Sequence, residues 1–66
     1  MNALKKGMRV TVYQKPFTQE DQEGIAMLVK REIRANIVTG FESWHVRFPD
    51  ESQTYRRLVA IRDILK

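Results

Sequence analysis

The 66-residue chain contains no cysteine, which excludes disulfides, thiolate zinc clusters and thiol nucleophiles together. Glycine and proline are scarce, three and two residues in all, and no glycine spacing matches a phosphate-cradling loop of the GxGxxG or Walker type. The two serines, Ser43 and Ser52, lie in no local context that would activate a nucleophile. No long hydrophobic run is present. The longest is IAMLV at residues 25–29, whereas a membrane-spanning helix needs about 20 apolar residues. The opening MNALKKGMRVTVYQ holds no apolar stretch of signal-peptide length. These absences predict a soluble cytoplasmic protein with no membrane partner and no cofactor, in which an enzyme has no residue to stand on. At this length the chain is one domain near the lower limit for independent folding.

Charge, by contrast, is plentiful and uneven. Twelve Lys and Arg face eight Asp and Glu, a net charge of +4, and three of the acids, Glu20, Asp21 and Glu23, crowd into TQEDQE. The rest of the chain is therefore more basic than the total suggests. A basic surface concentrates anions and favours nucleic acid, although a charge of this size also serves ordinary solubility.

Strict alternation marks two strands. Met8, Val10 and Val12 point one way and Arg9 and Thr11 the other; Trp44, Val46 and Phe48 alternate with His45 and Arg47 until Pro49-Asp50-Glu51-Ser52 stops the pattern. Residues 14–23, QKPFTQEDQE, read as a long polar loop and RANIVTGFES as a second one, with Gly40 as its turn residue. Two segments are ambiguous. Residues 18–35 suit a helix, with Thr18 and Asp21 as a loose capping box and Ile25, Leu28, Val29 and Ile33 on one face. Residues 52–65 suit another through Tyr55, Leu58, Val59 and Leu65. Gly24 in mid-segment and the β-branched Ile25, Val29 and Ile33 weigh against the first. Against the second, FPDES reads as a hairpin tip whose partner strand, residues 53–59, follows at once and sets Val46 opposite Tyr55.

Five short strands, a long polar loop after the first, a shorter loop before a Trp-led strand and a tight hairpin resemble an SH3-like or Tudor-like small barrel. The tail AIRDILK matches the single 3-10 turn and brief last strand that close such barrels. VYQKPFTQEDQEGIAMLVK with WHVRF also resembles small uncharacterised proteins of bacteria and their phages. The expectation is all-β, a five-stranded SH3-like barrel over residues 1–66. The alternative is α+β, two helices on a short antiparallel sheet.

Two binding surfaces follow. The first is cationic: Arg47 and Arg56 share the outer face of the hairpin with His45, while Arg31 ends the second strand and Arg34 enters the loop after it. Such a face holds nucleic-acid backbone without reading bases. The second resembles SH3 and Tudor surfaces. An acidic loop with Glu20 and Asp21 faces Trp44, and Tyr13, Phe17 and Phe41 lie in or beside the two loops. That set implies a basic or proline-rich peptide, a methylated cation or a partner protein. Against the SH3 pattern, an ALYDY-type motif is missing where this chain has VTVYQ. His45 is the only histidine; catalysis wants it paired with a nucleophile or carboxylate and a metal wants two or three further ligands, so it suits a contact better than either. The acidic segment lacks the alternating ligands and central glycine of a calcium loop.

Overall fold

A computed structural model describes residues 3–33 and 38–65 of the chain. Four antiparallel strands, β1 (Arg9–Lys15), β2 (Glu20–Ile33), β3 (Glu42–Arg47) and β4 (Tyr55–Val59), form one sheet in the order β1-β2-β3-β4. A 3-10 turn, Ile61–Asp63, follows β4, and no α-helix occurs among the described residues. The all-β expectation holds, and residues 18–35 and 52–65 are not helices where they are described.

The sheet curls because β2 is long enough to serve two neighbours in turn. Its first half pairs with β1, from Glu20↔Lys15 to Met27↔Arg9, and its second half with β3, from Met27↔Arg47 to Ile33↔Ser43. Register shifts between Leu28 and Lys30 and between Arg31 and Ile33 mark bulges, which bend a strand and increase its twist. A third shift, opposite Val12 and Tyr13, leaves Glu23 of β2 between their partners Gly24 and Gln22. The curl is then latched from the C-terminus: Ile64 bridges Val10, and the Leu65 N–H donates to the Arg9 carbonyl at 3.1 Å. The result is a half-barrel. Where a fifth strand was expected, the described residues show this single bridge.

The concave side holds the core. Val10 and Val12 of β1, Ala26 and Leu28 of β2, Trp44 and Val46 of β3 and Val59 of β4 are buried with Leu4, and Met8, Phe48 and Ile64 pack against them. The strand alternation thus resolves as expected, with Trp44, Val46 and Phe48 inward and His45 and Arg47 outward, and Val46 pairs with Tyr55.

The expected loop over residues 14–23 is instead mostly strand; only residues 16–19 turn the chain. Its polarity has another cause. This end of the β1–β2 ribbon projects past the core, so Gln14, Lys15, Glu20, Asp21 and Gln22 are all exposed, and a ribbon wet on both faces shows no alternation. The tight connection requires left-handed backbone at Gln19 (φ 57°) and Asp21 (φ 56°). The tip is anchored to the 3-10 turn: the Arg62 guanidinium donates to the carbonyls of Pro16 (2.9 Å) and Phe17 (3.0 Å), and Gln19 Nε2 to Asp63 Oδ1 (3.2 Å). Asp63 is buried, and its Oδ2 accepts the Ala60 N–H at 3.0 Å while its own N–H donates back to the Ala60 carbonyl.

Gly24 takes φ 141° opposite Val12, and the Phe48 ring lies 3.8 Å from where a Cβ would project. Space is adequate and the backbone is the obstacle. Gly24→Ala is expected to cost about 1–2 kcal/mol, or on the order of 5–15 °C in Tm for a domain of this size. Thermal unfolding followed by circular dichroism checks this, and an unchanged Tm would show that the chain relaxes φ at no cost.

Candidate nucleic-acid interface

Trp44 organises the concave side. It pairs with Arg31 of β2 on one flank and Arg57 of β4 on the other, so two cations enter the core's margin together. Each meets a carboxylate. Glu42, two residues before Trp44 on the same face, accepts the indole N–H at 2.7 Å and Arg31 Nε at 3.2 Å through one oxygen. The Arg31 guanidinium lies 5.2 Å from the Trp44 ring and donates to the Leu4 carbonyl at 3.0 Å, fastening the N-terminal segment over the core. Arg57 makes a two-pronged contact with Glu23, at 2.7 and 3.0 Å, spanning the curl from β4 to β2. The hydrogen bond to Glu23 pushes Arg57 above the usual arginine value.

That arrangement takes Trp44 into the core, away from the surface the peptide-groove expectation gave it. Trp44 is 3% exposed with its N–H committed to Glu42, and no ring face is left for a ligand. Glu20 and Asp21 lie on the projecting ribbon rather than in a loop, with Asp21 3.6 Å from Lys15. Tyr13 falls on the side of β1 opposite Val10 and Val12 by strand parity. Only Phe17 and Phe41 come together, edge to face at 4.7 Å. Their cation is already supplied by the chain, since the Arg62 guanidinium sits 5.3 Å from the Phe41 ring. Phe17, 58% exposed, covers Phe41 rather than lining an open cage.

The expected cationic set also separates. Arg31 is held by Glu42. Arg34 lies outside the described residues. His45 and Arg56 are cross-strand partners on the convex face, as expected, but both converge on Glu32, whose Oε2 lies 2.8 Å from His45 Nε2 and 2.9 Å from Arg56 Nε. The bulge between Arg31 and Ile33 places Glu32 there, a shift that alternation alone does not reveal. Among the described residues no group of three or more potential metal ligands gathers, and Glu32 bridges His45 and Arg56 on the convex face. Among the described residues of the expected set, only Arg47 enters no pair with a carboxylate.

The structure gives Arg47 companions that the strand-by-strand reading missed. Arg9, Met27 and Arg47 are consecutive partners across β1, β2 and β3. They form one convex-face row, with the two arginines about 10 Å apart at ordinary strand spacing. On either side of this row lies a hollow. One, of about 490 Å³, is lined by Arg9, Ile25, Met27, Arg47, Phe48 and Pro49, with Gly7 and Ala26 completing it. The other, of about 210 Å³, is lined by Lys6, Met27, Val29, Arg47, Ser52 and Thr54, with Gly7 and Leu28. No carboxylate lines either. Among the described residues Lys5, Lys6, Arg9, Lys30 and Arg47 enter no ion pair. The convex face thus carries its charge unneutralised where the hollows are.

Glu51 is held away from this region. Tyr55 OH donates to Glu51 Oε1 at 2.8 Å, and Glu51, Asp50 and Glu23 line a separate hollow beyond Pro49. The bond to Glu51 pushes the Tyr55 phenol above its ordinary value. No helix among the described residues is long and apolar enough to cross a membrane. Comparison with models of protein families, with curated proteins and with solved structures finds no match for this chain.

Two predictions follow from these contacts. Glu42→Ala leaves the buried indole N–H and the Arg31 guanidinium without their shared acceptor, and is expected to cost about 1–3 kcal/mol. Urea unfolding monitored by Trp44 fluorescence measures it, and an unchanged midpoint would show that the network contributes nothing. The Tyr55–Glu51 bond needs the neutral phenol. Its contribution is present below the ordinary tyrosine value and lost as pH rises through the raised one. Alkaline titration of tyrosinate absorbance should therefore lose a component above the ordinary range in Tyr55→Phe, and a component that moves to the ordinary value in Glu51→Gln supports the same assignment.

Proposed function

We propose that this chain is a small SH3-like barrel that holds nucleic-acid backbone on its convex sheet face. The curled sheet, the 3-10 turn and the return of Ile64 to Val10 support the barrel reading. The binding reading rests above all on one observation: Arg9 and Arg47 flank Met27 in a row bordered by Lys6 and by hollows that no acid lines. Cations in ion pairs contribute little to a polyanion, because binding must first displace their partners. Unpaired cations release condensed counterions from the backbone directly, and that release drives sequence-independent association. Lys30 extends the strip along β2, while His45 and Arg56, tied to Glu32, form its muted margin.

The partner-protein reading, built on Trp44, Phe17, Phe41, Tyr13 and the acidic residues, has lost its central side chain to the core. What supports the nucleic-acid reading is that charge and hollows coincide on one face.

Three or four phosphate contacts predict that the logarithm of affinity falls with the logarithm of salt concentration at a slope of about −2 to −4. Arg9→Ala and Arg47→Ala should each flatten that slope by about one unit. Lys15→Ala, on the projecting ribbon and paired with Asp21, should leave it unchanged. Fluorescence anisotropy with labelled DNA and RNA across a salt series reads all three. No measurable affinity for either at low salt would overturn the reading.

A further inference from the structure

We infer that the hollows on either side of the Arg9–Met27–Arg47 row take an unpaired nucleotide strand in preference to a duplex, with bases against their apolar walls and the adjoining phosphates on Lys6, Arg9 and Arg47. This rests on the nucleic-acid reading and adds to it the form of the ligand. Both hollows combine mostly apolar linings with cationic residues. The larger, about 490 Å³, is lined by Ile25, Met27, Phe48 and Pro49 together with Arg9 and Arg47. That is within the size range of small-molecule sites, and planar guanidiniums can stack on a base. The smaller, about 210 Å³, sets Met27, Leu28 and Val29 beside Lys6 and Arg47, with no carboxylate among them. Arg47 borders both, so one guanidinium can meet the phosphate and the base of the same nucleotide.

A duplex has no use for the larger hollow. Its bases are stacked on one another and show only their edges in the grooves, so their faces cannot reach Ile25 or Met27. Docking a duplex on this face would engage the cations and leave the apolar walls facing water. An unpaired strand offers its bases freely, and their burial is sequence-tolerant because every base has a face. The direction of the strand is also constrained. Acidic Asp50, Glu51 and Glu23 line the hollow beyond Pro49, so the phosphates run from Arg47 toward Lys6 and away from the hairpin tip.

The test measures anisotropy at low salt with labelled oligo-dT and oligo-U of about ten nucleotides, a duplex of the same length, and an abasic oligodeoxynucleotide. The expected result is that oligo-dT, oligo-U or both bind about tenfold tighter than the duplex and the abasic strand. The stronger of the two arms identifies DNA or RNA as the source of the strand. Met27→Thr and Ile25→Thr should each remove most of that preference while leaving the salt slope as in the unaltered protein, since neither carries charge. Met27 and Ile25 are half-buried and exposed respectively, so two independent variants guard against loss of folding in one. Equal affinity for the duplex, or for the abasic strand, would overturn this inference and leave the basic-face reading standing. Absence of binding to every probe would overturn both.

Discussion

One strand has to satisfy two neighbours, and most of the molecule follows from how β2 does it. Fourteen residues, Glu20–Ile33, are longer than any flat pairing in so small a domain can use, so the strand bends through its bulges and passes from β1 to β3 at Met27. The bend gives the sheet a narrow inside. Val10, Val12, Ala26, Leu28, Val46 and Val59 fill most of it, and Trp44 is the largest side chain in that cluster. A core this thin puts charged residues within reach of its margin, which is why Arg31 and Arg57 border the tryptophan. Each is tolerable there only because a carboxylate lies against it, since an uncompensated charge at the edge of an apolar interior is far more costly than a paired one.

The same economy sorts the charges over the surface. Glu23 and Glu42 neutralise the concave-side arginines, Glu32 serves His45 and Arg56, Asp21 meets Lys15, Glu51 accepts from Tyr55, and Asp63 is absorbed by the 3-10 turn. Six of the eight acids are thereby committed, and Asp50 lies on the far side of Pro49. The net charge of +4 is consequently not spread evenly. It is expressed chiefly by cations that no acid reaches, and those that cluster, Lys6, Arg9 and Arg47, do so over the bend of β2. Structural pairing elsewhere is what leaves this strip uncompensated.

Legibility in the sequence tracks the number of wet faces a segment has. β1 and β3 each turn one side to the core and one to solvent, so their period of two was readable, and with it the Val46–Tyr55 register and the outward placement of His45 and Arg47. The ribbon past Val12 has two wet sides and no period, and its strand character was hidden under loop-like composition. Bulges were invisible for a related reason: they shift parity by one residue without leaving a mark in composition, and Glu32 owes its place beside His45 to one of them. Trp44 was legible as inward-facing, but its role was not. Its partner Glu42 is an ordinary surface residue type, and only three-dimensional register shows that Arg31 and Arg57 lie on both flanks. Arg9 went unrecognised because the row it shares with Arg47 runs across strands. Residues 9, 27 and 47 are neighbours only once β2 has been bent between them.

That row also explains how a marginal domain keeps free cations without suffering for it. Arg9 and Arg47 are separated by about 10 Å, comparable to the Debye length at ordinary ionic strength, so their mutual repulsion is largely screened and costs the fold little. A multivalent anion lying between them experiences both charges at closer range than they experience each other. Because any ligand that binds only the folded form stabilises it in proportion to its occupancy, the strip can be nearly neutral in effect when empty and stabilising when filled. The convex face can accept this role because its cations are not engaged elsewhere: Arg47 and Arg9 touch no acid, and their row's central Met27 is only half-buried. The concave side must be closed for the chain to fold, and the convex side is thereby left open for binding.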